Sequence, residues 1–118
     1  MFREFILPGI VEQIRSLEAT IYHLDGPGAL RFLDILLDIP KLNAVQWIYG
    51  AGNGRATDWL DTYRRIQAAG KGIQVWLDMD EIETFTEALR PEGMWITMND
   101  VPDAEAADAV LRRFSQWT

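Results

Sequence analysis

The sequence predicts an α/β protein in which four parallel strands alternate with five helices. Apolar residues switch between helical and strand spacing along the chain, and glycines and prolines separate the segments. Strands that alternate with helices of this length form βαβ units, whose strands pair in parallel through right-handed crossovers. The 118 residues suffice for one domain with a modest core.

The helices are predicted from apolar residues that share one stripe. Pro8-Gly9 mark a beginning or a bend in the first helix, and Gly70 is a natural stop for the third. The predicted helices are 3–18, 28–38, 58–70, 80–90 and 102–117. Their stripes are Ile6, Ile10, Ile14 and Leu17; Ala29, Leu33, Leu36 and Leu37; Trp59, Tyr63 and Ile66; Ile82, Phe85 and Leu89; and Ala107, Val110, Leu111, Phe114 and Trp117.

The strands are predicted from short apolar runs at 20–24, 43–49, 72–78 and 93–98. Polar residues stand at or just after the end of each run. In parallel sheets, ligands bind beyond the carboxyl ends of the strands, so we expect a site there. These ends are His23 to Asp25, Tyr49 to Asn53, Asp78 to Asp80 and Met98 to Asp100.

Charge and composition exclude several kinds of partner. The net charge of -7 disfavours nucleic acid and an anionic membrane surface. No apolar run approaches the roughly 20 residues that span a bilayer. The chain has no cysteine, which excludes disulfides and thiolate sites and fits a cytoplasmic location.

Two stretches, "IYHLDGPGALRFLDILLDIPKLNAVQWIYGAGNG" and "DWLDTYRRIQAAGKGIQVWLD", resemble the uroporphyrinogen decarboxylase-like family. That superfamily includes corrinoid-dependent methyltransferases. The resemblance implies that residues 1–118 are one domain equivalent to the C-terminal half of a TIM-type (β/α)8 barrel. A dimer could complete the barrel, or the chain could be part of a longer protein. A flavodoxin-like open sheet is the alternative fold.

His23 and Asp25 are the first candidate pair. Residues i and i+2 of a strand point to the same side, so both could converge on one point. In the resembling methyltransferases the matching strand carries His-x-Cys, which binds zinc; here Asp25 stands at the cysteine position, and "ITMND" lacks the second expected cysteine. His23 and Asp25 are therefore candidate ligands of a divalent metal such as zinc, with Asp78 or Asp100 as a third. The alternatives are one hydrogen bond that holds His23, and a turn or N-cap role for Asp25.

An enzyme of this family would use His23, Asp25 and Asp78 as catalytic residues. The candidate ligand-binding residues are Tyr49, Asn53, Arg55, Trp76 and Asn99. The partners expected with them are a small molecule or a corrinoid protein, and further copies of the chain. The alternative function is a non-catalytic half-barrel module that oligomerises and binds a small ligand.

Structural roles compete with these candidates. The loop 50–54 with Arg55 could hold an anion or simply connect a strand to a helix. Asp78 and Glu81 could act as acid and base or, as we favour, form a capping box; Asn99 and Asp100 are expected to cap in the same way. Trp47, Trp76 and Trp95 could form an aromatic cage, but packing in a core, a central barrel layer or a dimer interface is favoured.

Overall fold

The computed structural model describes residues 1–118 and confirms the α/β prediction: four strands form one all-parallel sheet, and five α-helices accompany it. The strands are β1 (Ile21–Asp25), β2 (Ala44–Ile48), β3 (Gly72–Leu77) and β4 (Met94–Met98). The helices are α1 (Leu7–Arg15), α2 (Leu33–Leu37), α3 (Leu60–Ala68), α4 (Ile82–Ala88) and α5 (Ala104–Ser115). No helix has both the length and the apolar composition that crossing a membrane requires.

The α-helices are shorter than the apolar stripes predict because tighter or wider turns precede four of them. A π-helical turn, Phe2–Ile6, leads into α1, in which Pro8 occupies the first turn, where its missing N–H has no partner to lose. Turns of 3₁₀-helix lead into α2, α3 and α4. They span Pro27–Phe32, Ala56–Trp59 and Met79–Glu81.

The strands lie in the order β1-β2-β3-β4, so each strand pairs with its neighbours in the chain. A flavodoxin-like sheet has the order 2-1-3-4-5, with a switch point where the chain reverses direction across the sheet. This sheet has no such reversal. In its register, His23 lies opposite Gln46, and Gln46 lies opposite Gln74.

One face of the sheet carries the core. A single cluster of 18 buried residues includes side chains from the helices and from three of the four strands, β1, β2 and β3. Val45, Val75 and Leu77 are at most 1% exposed, and each faces the helices. All five α-helices contribute to this cluster: Ile14 from α1, Leu33 and Leu36 from α2, Tyr63 and Ile66 from α3, Ile82 and Phe85 from α4, and Val110 from α5.

The other face of the sheet is uncovered. Residues that alternate with the core positions lie there, and several large apolar side chains among them are exposed: Trp95 by 62%, Ile21 by 47% and Trp76 by 38%. We call this surface the open face. It consists of Ile21, His23, Asp25, Gln46, Gln74, Trp76, Trp95 and Thr97.

Candidate functional site

Four side chains form a continuous hydrogen-bonded row across the open face, one from each strand. His23 Nδ1 bonds to Gln46 Oε1, Gln46 Nε2 donates to Gln74 Oε1 over 2.7 Å, and Gln74 Nε2 donates to Thr97 Oγ1 over 3.3 Å. We call His23, Gln46, Gln74 and Thr97 the polar row. Gln74 is one of its two inner members and is only 6% exposed.

Sequence reasoning missed both glutamines of the row. The available signal was a glutamine in the middle of two otherwise apolar strands, "AVQWI" and "GIQVWL". A polar side chain at such a position needs a hydrogen-bond partner. Here the parallel register provides it, because Gln46 and Gln74 are directly paired.

The direction of the row determines the tautomer of His23. Gln46 Oε1 can only accept, so Nδ1 of His23 donates to it and Nε2 keeps its lone pair in the neutral imidazole. Nε2 lies 3.8 Å from Asp25 Oδ2, on the same face of β1. Both side chains are exposed, by 59% and 66%. The pair therefore presents a basic nitrogen beside a carboxylate to solvent.

The residues present do not fit a zinc site. Catalytic zinc takes three protein ligands, but His23 and Asp25 form only a pair, and no group of three or more His, Cys, Asp or Glu side chains is arranged to hold a metal. Asp78, one of the two predicted third ligands, is bound by other side chains of the protein. Its Oδ1 accepts from Asn99 Nδ2 over 2.9 Å and its Oδ2 accepts from Arg55 over 3.1 Å.

A shallow concavity of about 400 Å³ lies over the polar row. Trp95 lies opposite Gln74 in the register, and Trp76 lies opposite Thr97. The Gln74–Thr97 hydrogen bond therefore runs along one diagonal of this four-residue patch, with a tryptophan at each end of the other diagonal. Trp47, by contrast, packs in the core at 1% exposure, as predicted.

Arg55 lies in a carboxylate cluster at the carboxyl ends of β2 and β3. Its guanidinium bonds to both oxygens of Asp80 and to Asp78. The hydrogen bonds that Arg55 donates to Asp80 and Asp78 raise the pKa of Arg55, and the guanidinium holds the pKa of Asp80 below its usual value. Arg55 is therefore engaged by the protein's own carboxylates.

Glu81 is the buried member of this cluster, at 4% exposure. Its Oε1 accepts from Thr57 N over 3.0 Å and from Thr57 Oγ1 over 2.9 Å, and its Oε2 accepts from Asp78 N over 3.0 Å. Asp78 and Glu81 form the predicted capping box at the turn before α4. Glu81 thus ties the loop after β2 to the loop after β3.

The loop 50–54 is held by hydrogen bonds between Asn53 and residues on either side of the loop. Asn53 Nδ2 donates to Tyr49 O over 2.8 Å, and Trp59 Nε1 donates to Asn53 O over 2.9 Å. The amide of Arg55 donates to Asp58 Oδ2 over 2.8 Å. The amides of Arg55 and Thr57, which follow this loop, therefore bind carboxylates of the chain itself.

Tyr49 borders the same cluster. Its ring stacks on Trp59, with centroids 6.2 Å apart and planes 16° apart. Burial, followed by the nearby charges of Glu81 and Asp78, raises the pKa of the Tyr49 hydroxyl. Tyr49 is thus a neutral hydroxyl at the rim of the carboxylate cluster.

The cap predicted at Asn99 and Asp100 is wrong, and the N-cap alternative for Asp25 is not realised. The N-cap of α5 is Asp103, whose Oδ1 accepts from Ala106 N over 2.8 Å, whereas Asn99 binds Asp78 and Asp100 has a positive φ of 47°. Asp25 does not cap either, because Gly26 occupies the N-cap of the turn that follows β1. The side chain of Asp25 is left facing His23.

Comparison of the chain with protein-family models, with curated proteins and with solved structures gave no match. The resemblance to the uroporphyrinogen decarboxylase-like family therefore stays a prediction from the residues.

Proposed function

We propose that the chain is the C-terminal half of a uroporphyrinogen decarboxylase-like barrel, and that its open face forms the wall of a small-molecule site with His23 as the proton-transfer group. The observation that carries this proposal is the polar row on the face that no helix covers. Side chains that hold one another in place keep their free donors and acceptors in fixed positions. A ligand then binds without ordering them first.

The strand order supports the half-barrel part of the proposal. Consecutive parallel strands with all helices outside are the arrangement of neighbouring units in a (β/α)8 barrel. In such a barrel the face away from the helices lines the interior, and active sites lie at the carboxyl ends of the strands. His23 and Asp25 lie in the last three residues of β1.

His23 has the surroundings of a general base. With Nδ1 donating to Gln46, Nε2 can take a proton from a ligand, and the carboxylate of Asp25 lies 3.8 Å from that nitrogen. The same imidazolium can return the proton to the ligand. Asp78 is bound by Arg55 and Asn99, so its role is to position the rim of the site.

The test has two stages. First, a fragment library is screened by NMR against protein with assigned side-chain amides and indoles; we expect shifts at Gln46, Gln74 and Trp95. Second, exchange of ligand C–H hydrogens with deuterium is measured in D₂O for fragments that bind. The parent is expected to catalyse exchange and His23→Ala is not; Ser16→Ala, at the exposed C-cap of α1, serves as the control. Shifts confined to residues outside the open face would overturn the proposal.

A second candidate function is self-association through the open face. β1 and β4 are the edges of the sheet, so each presents unpaired backbone groups. Ile21 on β1 and Trp95 on β4 add exposed apolar surface at these two edges. A second copy could pair with both edges around a two-fold axis.

Sedimentation equilibrium tests this candidate. We expect a dimer that Trp95→Asp dissociates, whereas Leu111→Asp leaves it intact, because Leu111 is equally exposed on α5 but lies away from the open face. A parent protein that stays monomeric over the accessible concentration range would exclude self-association.

A further inference from the structure

We infer that the ligand of the open face is a neutral carbohydrate, bound as a pyranose ring against Trp95 and Trp76 with its hydroxyls on the polar row. This inference rests on the proposed ligand site and specifies its chemistry. Three independent features carry it: the free hydrogen-bonding groups of the row, the placement of the indoles, and the absence of an available cation.

The polar row offers paired donors and acceptors. Gln46 uses one N–H and one oxygen lone pair within the row, which leaves it a second N–H and a second lone pair. Gln74 has the same pattern. A hydroxyl both donates and accepts, so it matches such an amide, whereas a carboxylate or phosphate only accepts. Several neighbouring hydroxyls on one ring would satisfy both amides.

The indoles supply the apolar part of the site. Trp95 and Trp76 flank the Gln74–Thr97 hydrogen bond and remain 62% and 38% exposed. One face of a pyranose ring carries only C–H groups, which have a slight positive charge and pack well on the electron-rich face of an indole. A ring seated on Trp95 would have its edge hydroxyls over Gln74, its register neighbour.

The charges around the site disfavour anionic ligands. The concavity is lined by Ile21, two tryptophans and the polar row, with no lysine or arginine. Arg55 is bound to Asp78 and Asp80, and Asp25 adds a negative charge beside His23. Nucleotides and sugar phosphates would lack a cation to bind. A neutral ring with hydroxyls meets none of these obstacles.

The experiment is a titration with methyl β-glucopyranoside and cellobiose, followed by tryptophan emission and by the NMR signals of Gln46 and Gln74. We expect saturable shifts with both sugars. Trp95→Ala should weaken cellobiose binding about tenfold, which corresponds to the loss of one stacking contact. Leu111→Ala, which removes an exposed apolar side chain outside the concavity, should leave binding within about twofold. Gln74→Leu should abolish binding while circular dichroism reports whether the fold is retained.

Adenosine and cyclohexanol complete the set of probes. Binding of adenosine at the same residues, without sugar binding, would overturn the carbohydrate assignment and leave the open-face site standing. Equal binding of cyclohexanol and glucoside would show that the site does not recognise the pattern of hydroxyls. That result would also overturn the carbohydrate assignment. Failure of all four probes would overturn the carbohydrate assignment, whereas the fragment screen decides separately whether the open face binds ligands at all.

Discussion

Gln46 Nε2 donates a 2.7 Å hydrogen bond to Gln74 Oε1, while Oε1 of the same Gln46 amide is the partner of His23 Nδ1. The Gln46 amide is therefore bonded both to Gln74 and to His23, which is the only histidine of the chain. Because its nitrogen is directed at Gln74, its oxygen is directed at the imidazole. The state of His23 is thereby linked to a residue two strands away.

The first prediction concerns the protonation site of His23. In the neutral imidazole of the parent protein, we expect the proton on Nδ1, because Gln46 Oε1 requires a donor. Gln46→Leu should remove this preference. Long-range ¹H–¹⁵N spectra distinguish the two tautomers, and a single histidine makes the assignment direct. Asp25→Asn is the control, since it changes the charge near Nε2 and leaves the Nδ1 bond; a parent protonated on Nε2 would contradict the prediction.

The second prediction concerns the buried carboxylate of Glu81. Glu81→Ala leaves the amides of Thr57 and Asp78 without their acceptor, so we expect a loss of about 1–3 kcal/mol in the free energy of unfolding. Urea denaturation measures it. Glu83→Ala, an exposed position on α4, should change the free energy by less than about 0.5 kcal/mol. Equal effects of the two variants would show that Glu81 does not connect the two loops.

The third prediction contrasts two glycines. Gly54 has φ +90°, and an added Cβ would lie 2.5 Å from Asp58 Oδ2, so Gly54→Ala should destabilise the protein by more than about 1 kcal/mol. Gly9 lies in α1 with no atom within 4 Å of an added Cβ. Gly9→Ala should therefore stabilise by roughly 0.5–1 kcal/mol, since alanine favours the helix. Thermal melts of both variants give the signs, and matching signs would contradict the contrast.

The strands and their parallel pairing could be predicted because they depend on local apolar runs and on the helices between them. The alternation of side chains along β3 also determines the face on which Trp76 lies. Ile73, Val75 and Leu77 are buried on one face, so Gln74 and Trp76 project to the other. The polar row needed the register as well, because a shift of one residue would move Gln46 to the other face.

The caps were predicted less well because several acidic residues compete near each helix start. Before α5, Asp100 precedes Pro102 and Asp103 follows it, and either carboxylate could accept from a first-turn amide. The extended backbone of Asp103, with φ -159° and ψ 178°, places its Oδ1 on Ala106 N, whereas Asp100 adopts a left-handed conformation. Local sequence does not determine that choice. The Asp78–Glu81 capping box was predictable because the spacing of its two acidic residues identifies both members together.

The last prediction concerns the pH dependence contributed by Asp80. The hydrogen bond from Arg55 lowers its pKa in the folded state below the ordinary value of 3.8. A lowered folded-state pKa means that the folded protein holds the carboxylate more strongly than the unfolded chain does. The contribution to stability is therefore present above pH 3.8 and is lost as the pH falls through the lowered folded-state pKa. We expect Asp80→Asn to lower the urea midpoint at neutral pH, and the difference from the parent to close at strongly acidic pH, where both side chains are neutral.

Asp108→Asn, on the exposed side of α5, makes the same change in charge without removing an arginine partner, so it should not lower the midpoint at neutral pH. A parent and an Asp80→Asn variant that differ by a constant amount across the acid range would show that the pairing with Arg55 does not stabilise the fold.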